Sequence, residues 1–189
     1  MSIRLTLGLL LLMAGCGRQY IILPRPQLRC IRPPEGTEFF AGFGRRDITP
    51  PPGASLLGYG TEARVSAGYR QRLTVRAMAL QDTRGERLIL AVADLDFIPG
   101  ILHREVAARV EACLGITADR IVLTATHTHS GPAHFSAHAA YDDVGSGPVK
   151  GFDPQLLAFM ADRIADAMFE ALGRMRPARA GWGQTTVWN

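Results

Sequence analysis

Thr126-His127-Thr128-His129-Ser130-Gly131-Pro132 places two imidazoles two residues apart, directly after the apolar run Ile121 to Ala125. In an extended chain residues i and i+2 face the same way, so both rings are expected to leave one side of the strand end. Imidazole nitrogens bind metals at about 2.0–2.1 Å, and two rings on one side can converge on one ion. Metal binding or catalysis is therefore the chemistry this pattern offers; a lone histidine would more simply hydrogen-bond within a loop. Asp94 and Asp96 close the preceding apolar run at the corresponding end. If the two strands are neighbours, a carboxylate there can orient an imidazole. Asp94 is the candidate for that role, with a strand-end cap as the alternative. His134 and His138 stand four apart, but Phe135 and Ser136 between them make no strong helix, so they are weak ligand candidates. His103 is read as a surface helix residue on the opposite side.

The elements that position these residues follow an α/β layout. Phe39 to Phe43 reads as a short strand, and Asp47 to Gly53, with three consecutive prolines, reads as loop. Leu73 to Leu80 alternates, and Leu88 to Leu95 is an apolar run broken only by Asp94; Asp82 to Glu86, centred on Gly85, joins them as a hairpin turn. Leu102, Val106, Val110 and Cys113 recur at helical spacing and are closed near Gly115. Arg120 to Thr126 reads as a buried strand, which completes a βαβ unit with parallel strands. Sites in open α/β sheets form beyond the carboxyl ends of such strands, where the histidines and aspartates lie. Asp153-Pro154 signals a helix start, Leu156, Met160, Ile164, Ala167 and Ala171 mark its buried face, and Gly173 ends it. Arg179 to Trp182 reads as the start of a further strand close to the last residue, as in an incomplete domain.

The amino-terminal residues read as an address. Arg4, the apolar run Leu5 to Met13 and the small residues Ala14 and Gly15 before Cys16 have the plan of an export signal ending in a bacterial lipobox. The run is about half of the ~20 residues that a spanning helix needs. Residues 1–15 are expected to be a signal peptide, with Cys16 the lipidated first residue of a protein anchored in a bacterial cell envelope. Residues 16–36, with four prolines and four arginines, read as a tether, and 37–189 as the folded domain. Cys30 in the tether and Cys113 on the helix are not expected to pair, although an exported chain would permit it. No CxxC pair is present, which argues against a zinc knuckle or a thioredoxin-like site. The net charge of +4 comes from scattered arginines, Lys150 being the single lysine, so nucleic-acid binding is not expected. Neither GxxxxGK[ST] nor GxGxxG occurs, which argues against the common nucleotide folds.

Ala41-Gly42-Phe43-Gly44-Arg45-Arg46-Asp47-Ile48-Thr49-Pro50-Pro51 resembles the amino-terminal signature of the neutral/alkaline non-lysosomal ceramidases. The likeness continues through Leu57-Gly58-Tyr59-Gly60, Arg72-Leu73, Arg76-Ala77, Ala93-Asp94-Leu95 and the histidine motif, in the family's order. The resemblance implies a zinc amidase that cleaves the N-acyl bond of ceramide to give sphingosine and a fatty acid. It implies a layered α/β/β/α fold with mixed sheets, His127 as a zinc ligand and His129 as the catalytic-pocket residue that contacts substrate. Ala133 departs from the family pattern, which continues with glycine after the proline. The remaining ligands of the family, a histidine, a glutamate and a tyrosine, and its catalytic serine lie farther downstream than this chain extends. The chain is therefore expected to be the amino-terminal part of such an enzyme. Two other readings stand beside it: a different His-x-His metallohydrolase, which would want aspartate where Gly131 stands, and a non-catalytic lipoprotein that keeps the fold for binding.

Overall fold

The computed structural model describes Leu23 and residues 27–31, 33–147 and 149–187. The expected signal peptide and Cys16 lie outside the described residues. Five strands form one mixed sheet in the order β4-β3-β2-β1-β5. They are β1 (Phe40–Asp47), β2 (Thr74–Gln81), β3 (Arg87–Ala93), β4 (Ile121–Ala125) and β5 (Arg176–Pro177). β1 pairs antiparallel with β5 and β2, β2 pairs antiparallel with β3, and β3 pairs with β4 in parallel, Ile89 opposite Ile121 and Ala93 opposite Ala125. The β2–β3 turn is the expected one, with Asp82 and Glu86 closing it and Gly85 at φ +84°.

Helix α1 (Gly100–Leu114) is the crossover of the parallel pair. It buries Leu102, Val106, Ala107 and Val110 and stops at Gly115, whose φ of +66° suits glycine and whose N–H bonds the Glu111 carbonyl. Helix α2 (Pro154–Gly173) starts where the Asp153 carboxylate accepts from the N–H groups of Gln155 and Leu156, a cap worth about 1 kcal/mol. It is buried over most of its circumference because it packs against both the sheet and α1. Gly42 and Gly44 let it come close: a Cβ there would stand 2.1 Å from the carbonyl oxygens of Ala171 and Ala167, respectively. The buried Asp162 of α2 meets Arg109 of α1 at 2.7 Å, joining the helices by a charge pair inside the layer.

The two faces of the sheet differ. Val75, Ala77, Ala79, Ile89, Ala91 and Ala93 are buried towards the helices. Phe43, Val92 and Val122, on the opposite face, are exposed, and Met78, Leu80, Leu88 and Leu90 between them are half-buried. The α/β class is as expected, and the described residues supply one helical layer and one sheet. No helix among them is long and apolar enough to cross a membrane.

Four local expectations are corrected. β1 runs on to Asp47, because its full length pairs with β2 through Asp47 opposite Thr74. β4 is an edge strand, so only Ile121 of its five residues is buried. Residues 179–182 form no strand: β5 is two residues long, and its pairing stops at Phe40, where β1 begins. Cys30 and Cys113 are joined in a disulfide across 83 positions, contrary to the expectation. Leu23 and Leu28 pack against the core, so this part of the expected tether lies on the domain.

Candidate functional site

Asp96, His127 and His129 bring one ligand atom each to within 4.8 Å of one another. They gather at the carboxyl ends of β3 and β4, the only parallel pair among the described strands. Backbone bonds carry the pairing past both strands: Thr126 N–H donates to Ala93 O, and Thr128 N–H to Leu95 O. On the other side, Leu57 N–H donates to Gly131 O and Ala133 N–H to Ser55 O. The histidine loop is thus held between the end of β3 and residues 55–58.

Its geometry is not the simple extension expected from the sequence. His127 has φ +59°, a left-handed conformation uncommon outside glycine and concentrated at functional sites. The rings converge through that kink and through Asp96, with centroids 5.2 Å apart. His127 Nδ1 lies 2.9 Å from the backbone carbonyl of Asp96 and 3.0 Å from its Oδ1. A carbonyl can only accept, so Nδ1 carries the proton and Nε2 keeps its lone pair. His129 Nε2 lies 3.5 Å from the same Oδ1. The Asp96 side chain is 10 % exposed against 76 % for His127 and 39 % for His129, so the carboxylate forms the floor and the rings face outward.

His129 is seated by shape. A Cβ on Gly58 would stand 2.6 Å from its ring carbons, and Gly58 has φ +95°, so this position requires glycine twice over. Tyr59 meets the ring edge-on at 5.6 Å. Beside the loop opens a cleft of about 520 Å³, lined by Thr128, Ser130 and Pro132 together with Leu56, Val65 and Tyr69. That volume suits a small-molecule site.

Asp94 does not reach the imidazoles. Its carboxylate accepts from the N–H and hydroxyl of Thr74 and from Arg76 at 2.8–2.9 Å, which makes it the cap at the start of β2. Residues 94–96 form a bend, so the two aspartates part company and Asp96 alone turns to the histidines. Their sequence spacing gave no way to choose between them. His134 is buried, and its Nδ1 donates to the carbonyls of Asp142 and Gly151. His138 receives the N–H of Ala140, its own N–H going to Ser136 and Asp142. Neither joins the cluster. His103 is more than a surface residue, since its Nε2 meets Ile121 O at 3.1 Å and ties α1 to β4.

Two imidazoles and a carboxylate are a donor set that zinc accepts. Asp96 Oδ1 is buried without a hydrogen-bond partner, as an atom awaiting a cation or a proton would be. The residues fit such an ion.

Residues 39–189 match the family described as neutral/alkaline non-lysosomal ceramidase, N-terminal. Neutral ceramidase of Drosophila melanogaster is 32% identical over 151 residues, covering 78% of this chain and 21% of that protein. Neutral ceramidase of Pseudomonas aeruginosa is also 32% identical, over 152 residues, covering 78% of this chain and 22% of the relative. The crystal structure of neutral ceramidase from Pseudomonas aeruginosa superposes with a TM-score of 0.68 at 30% identity, over 74% of this chain and 22% of that one. A ceramidase complexed with C2 gives a TM-score of 0.64 over the same shares. The chain spans about a fifth of the length of these relatives.

Proposed function

This chain belongs to the neutral/alkaline non-lysosomal ceramidase family, and from that membership we propose that it supplies one wall of the active site of a zinc-dependent amidase. The substrate is ceramide or a closely related N-acyl lipid, cleaved to a sphingoid base and a fatty acid. The observation that carries this reading is the meeting of Asp96, His127 and His129 at the carboxyl ends of the parallel strands. His127 holds the ion through Nε2, the nitrogen its hydrogen bond leaves free. When bound, zinc supplies Lewis acidity, polarising an amide carbonyl and acidifying water. His129, fixed against Gly58 and Tyr59, contacts substrate. The apolar side chains of Leu56, Val65 and Pro132 offer the lipid a dry wall.

The test is metal content measured together with N-acylsphingosine hydrolysis. His127→Ala is expected to lose both, and His129→Ala to keep the metal while KM rises. Full hydrolysis by His127→Ala would end the assignment. A self-contained metallohydrolase is favoured by one observation, that three donors lie within this chain. Tight stoichiometric zinc without amidase activity would promote it. No metal and no hydrolysis in any form would leave the non-catalytic lipoprotein.

The proposed setting is the bacterial cell envelope, with Cys16 lipidated and the membrane as partner. The Cys30–Cys113 disulfide supports export, because such bonds persist in oxidising compartments. Palmitate labelling of the expressed protein should vanish in Cys16→Ser, and labelling that survives would remove the anchor from the proposal.

A further inference from the structure

Resting on the reading of His127 as a metal-holding residue, we propose that Asp96 is the positioning residue of this site, setting the tautomers and orientations of both imidazoles. Asp96 presents two acceptors at once. Its backbone carbonyl takes the His127 Nδ1 proton at 2.9 Å, and its Oδ1 stands 3.0 Å from the same nitrogen and 3.5 Å from His129 Nε2. That oxygen lies beside both rings without closing a hydrogen bond to either, and it has almost no contact with water. A buried carboxylate oxygen left unsatisfied costs stability unless something is brought to it, and the two rings are what the fold brings. Asp94, two residues away, shows the contrast: both its oxygens are engaged by Thr74 and Arg76.

The consequence is chemical. His127 is committed to the tautomer with the proton on Nδ1 and Nε2 open to an ion. His129 faces the same Oδ1 with Nε2 at 3.5 Å, short of a hydrogen bond; a slight turn of the ring closes it, fixes the proton on Nε2 and leaves Nδ1 its lone pair. The same residue therefore gives the two rings opposite tautomers. A carboxylate behind a metal-bound imidazole also strengthens it as a donor, and loss of such a partner commonly weakens metal affinity roughly 10- to 100-fold.

The test uses nitrogen-15 imidazole spectra of this chain at about pH 8.5, where unperturbed histidines are neutral. They are joined by zinc affinity from competition with a chromogenic chelator. The expected spectra show protonated Nδ1 on His127 and protonated Nε2 on His129. In Asp96→Ala the His129 ring should become a tautomer mixture, and zinc affinity should fall roughly 10- to 100-fold. Asp96→Asn, which keeps an acceptor oxygen and the side-chain shape, should fall between the two. Thermal melting of each variant reports whether it is folded, and if Asp96→Ala is not, Asp96→Asn decides. Unchanged tautomers and affinity in the folded variants would overturn the proposal. So would complete loss of zinc with both tautomers intact, which would make Asp96 a ligand. The spectra read Asp96 without any turnover, so a failure of the amidase reading and a failure of this one are distinguishable.

Discussion

Two short segments of this chain hold histidine and aspartate side by side, and they use them in opposite ways. Between residues 134 and 151 the carboxylate is fully engaged, although His134 Nε2 is itself buried without a partner. Asp142 accepts from the Ser136 hydroxyl at 2.9 Å and from the N–H groups of Ser136 and His138, and His134 Nδ1 spans two carbonyls. At Asp96, His127 and His129 the carboxylate is mostly buried, yet one oxygen has no hydrogen-bond partner and the rings stand more open to solvent. The residue types are the same; what separates a structural knot from a site is the carboxylate, both of whose oxygens are bonded in Asp142 while Oδ1 of Asp96 is not. A saturated carboxylate stabilises the fold, whereas an unsaturated one holds capacity for a ligand.

The difference can be broken by substitution, and the largest effect should come from the knot. Asp142→Ala leaves several buried donors without acceptors and should cost about 3 kcal/mol in urea unfolding. Asp96→Ala, losing no satisfied bond of its side chain, should stay within about 1 kcal/mol on the same measure. Equal losses would erase the distinction. His134→Ala follows, at about 2 kcal/mol, because two carbonyls lose their donor in a buried place.

Gly58→Ala tests the site from its side. The left-handed backbone there should cost about 1 kcal/mol, and the new methyl must displace the His129 ring. KM for N-acylsphingosine should therefore rise while zinc content holds; an unchanged KM would mean the ring seat is unimportant. The smallest effect on stability is expected for His127→Ala. Its ring is mostly exposed, and relief of the left-handed conformation is denied to alanine as well, so unfolding should shift by less than about 0.5 kcal/mol. A calorimetric melt near the parent's, together with lost zinc, would place His127 wholly on the functional side.

The order of elements was legible in the residues because their signals are local. Alternation in β2, the apolar run of β3, the spacing of Leu102, Val106 and Val110, and the Asp153-Pro154 start each depend on a few neighbouring positions. The expectation for β4 failed at its burial, since a run of apolar residues does not say whether a strand is central or at an edge. The absent strand at 179–182 failed for a related reason: a strand needs a partner, and β1 has ended there.

The sequence by itself determined that a parallel βαβ unit would deliver a His-x-His to a sheet edge, and its motifs pointed to the family. Tertiary structure decided which aspartate serves the imidazoles, that His127 turns left-handed, that His134 is a knot residue and that Cys30 finds Cys113. Periodicity fixes the side of an element on which a residue stands. The partner of a buried polar atom, however, is set by chain segments tens of residues away, and only their packing brings donor and acceptor within reach.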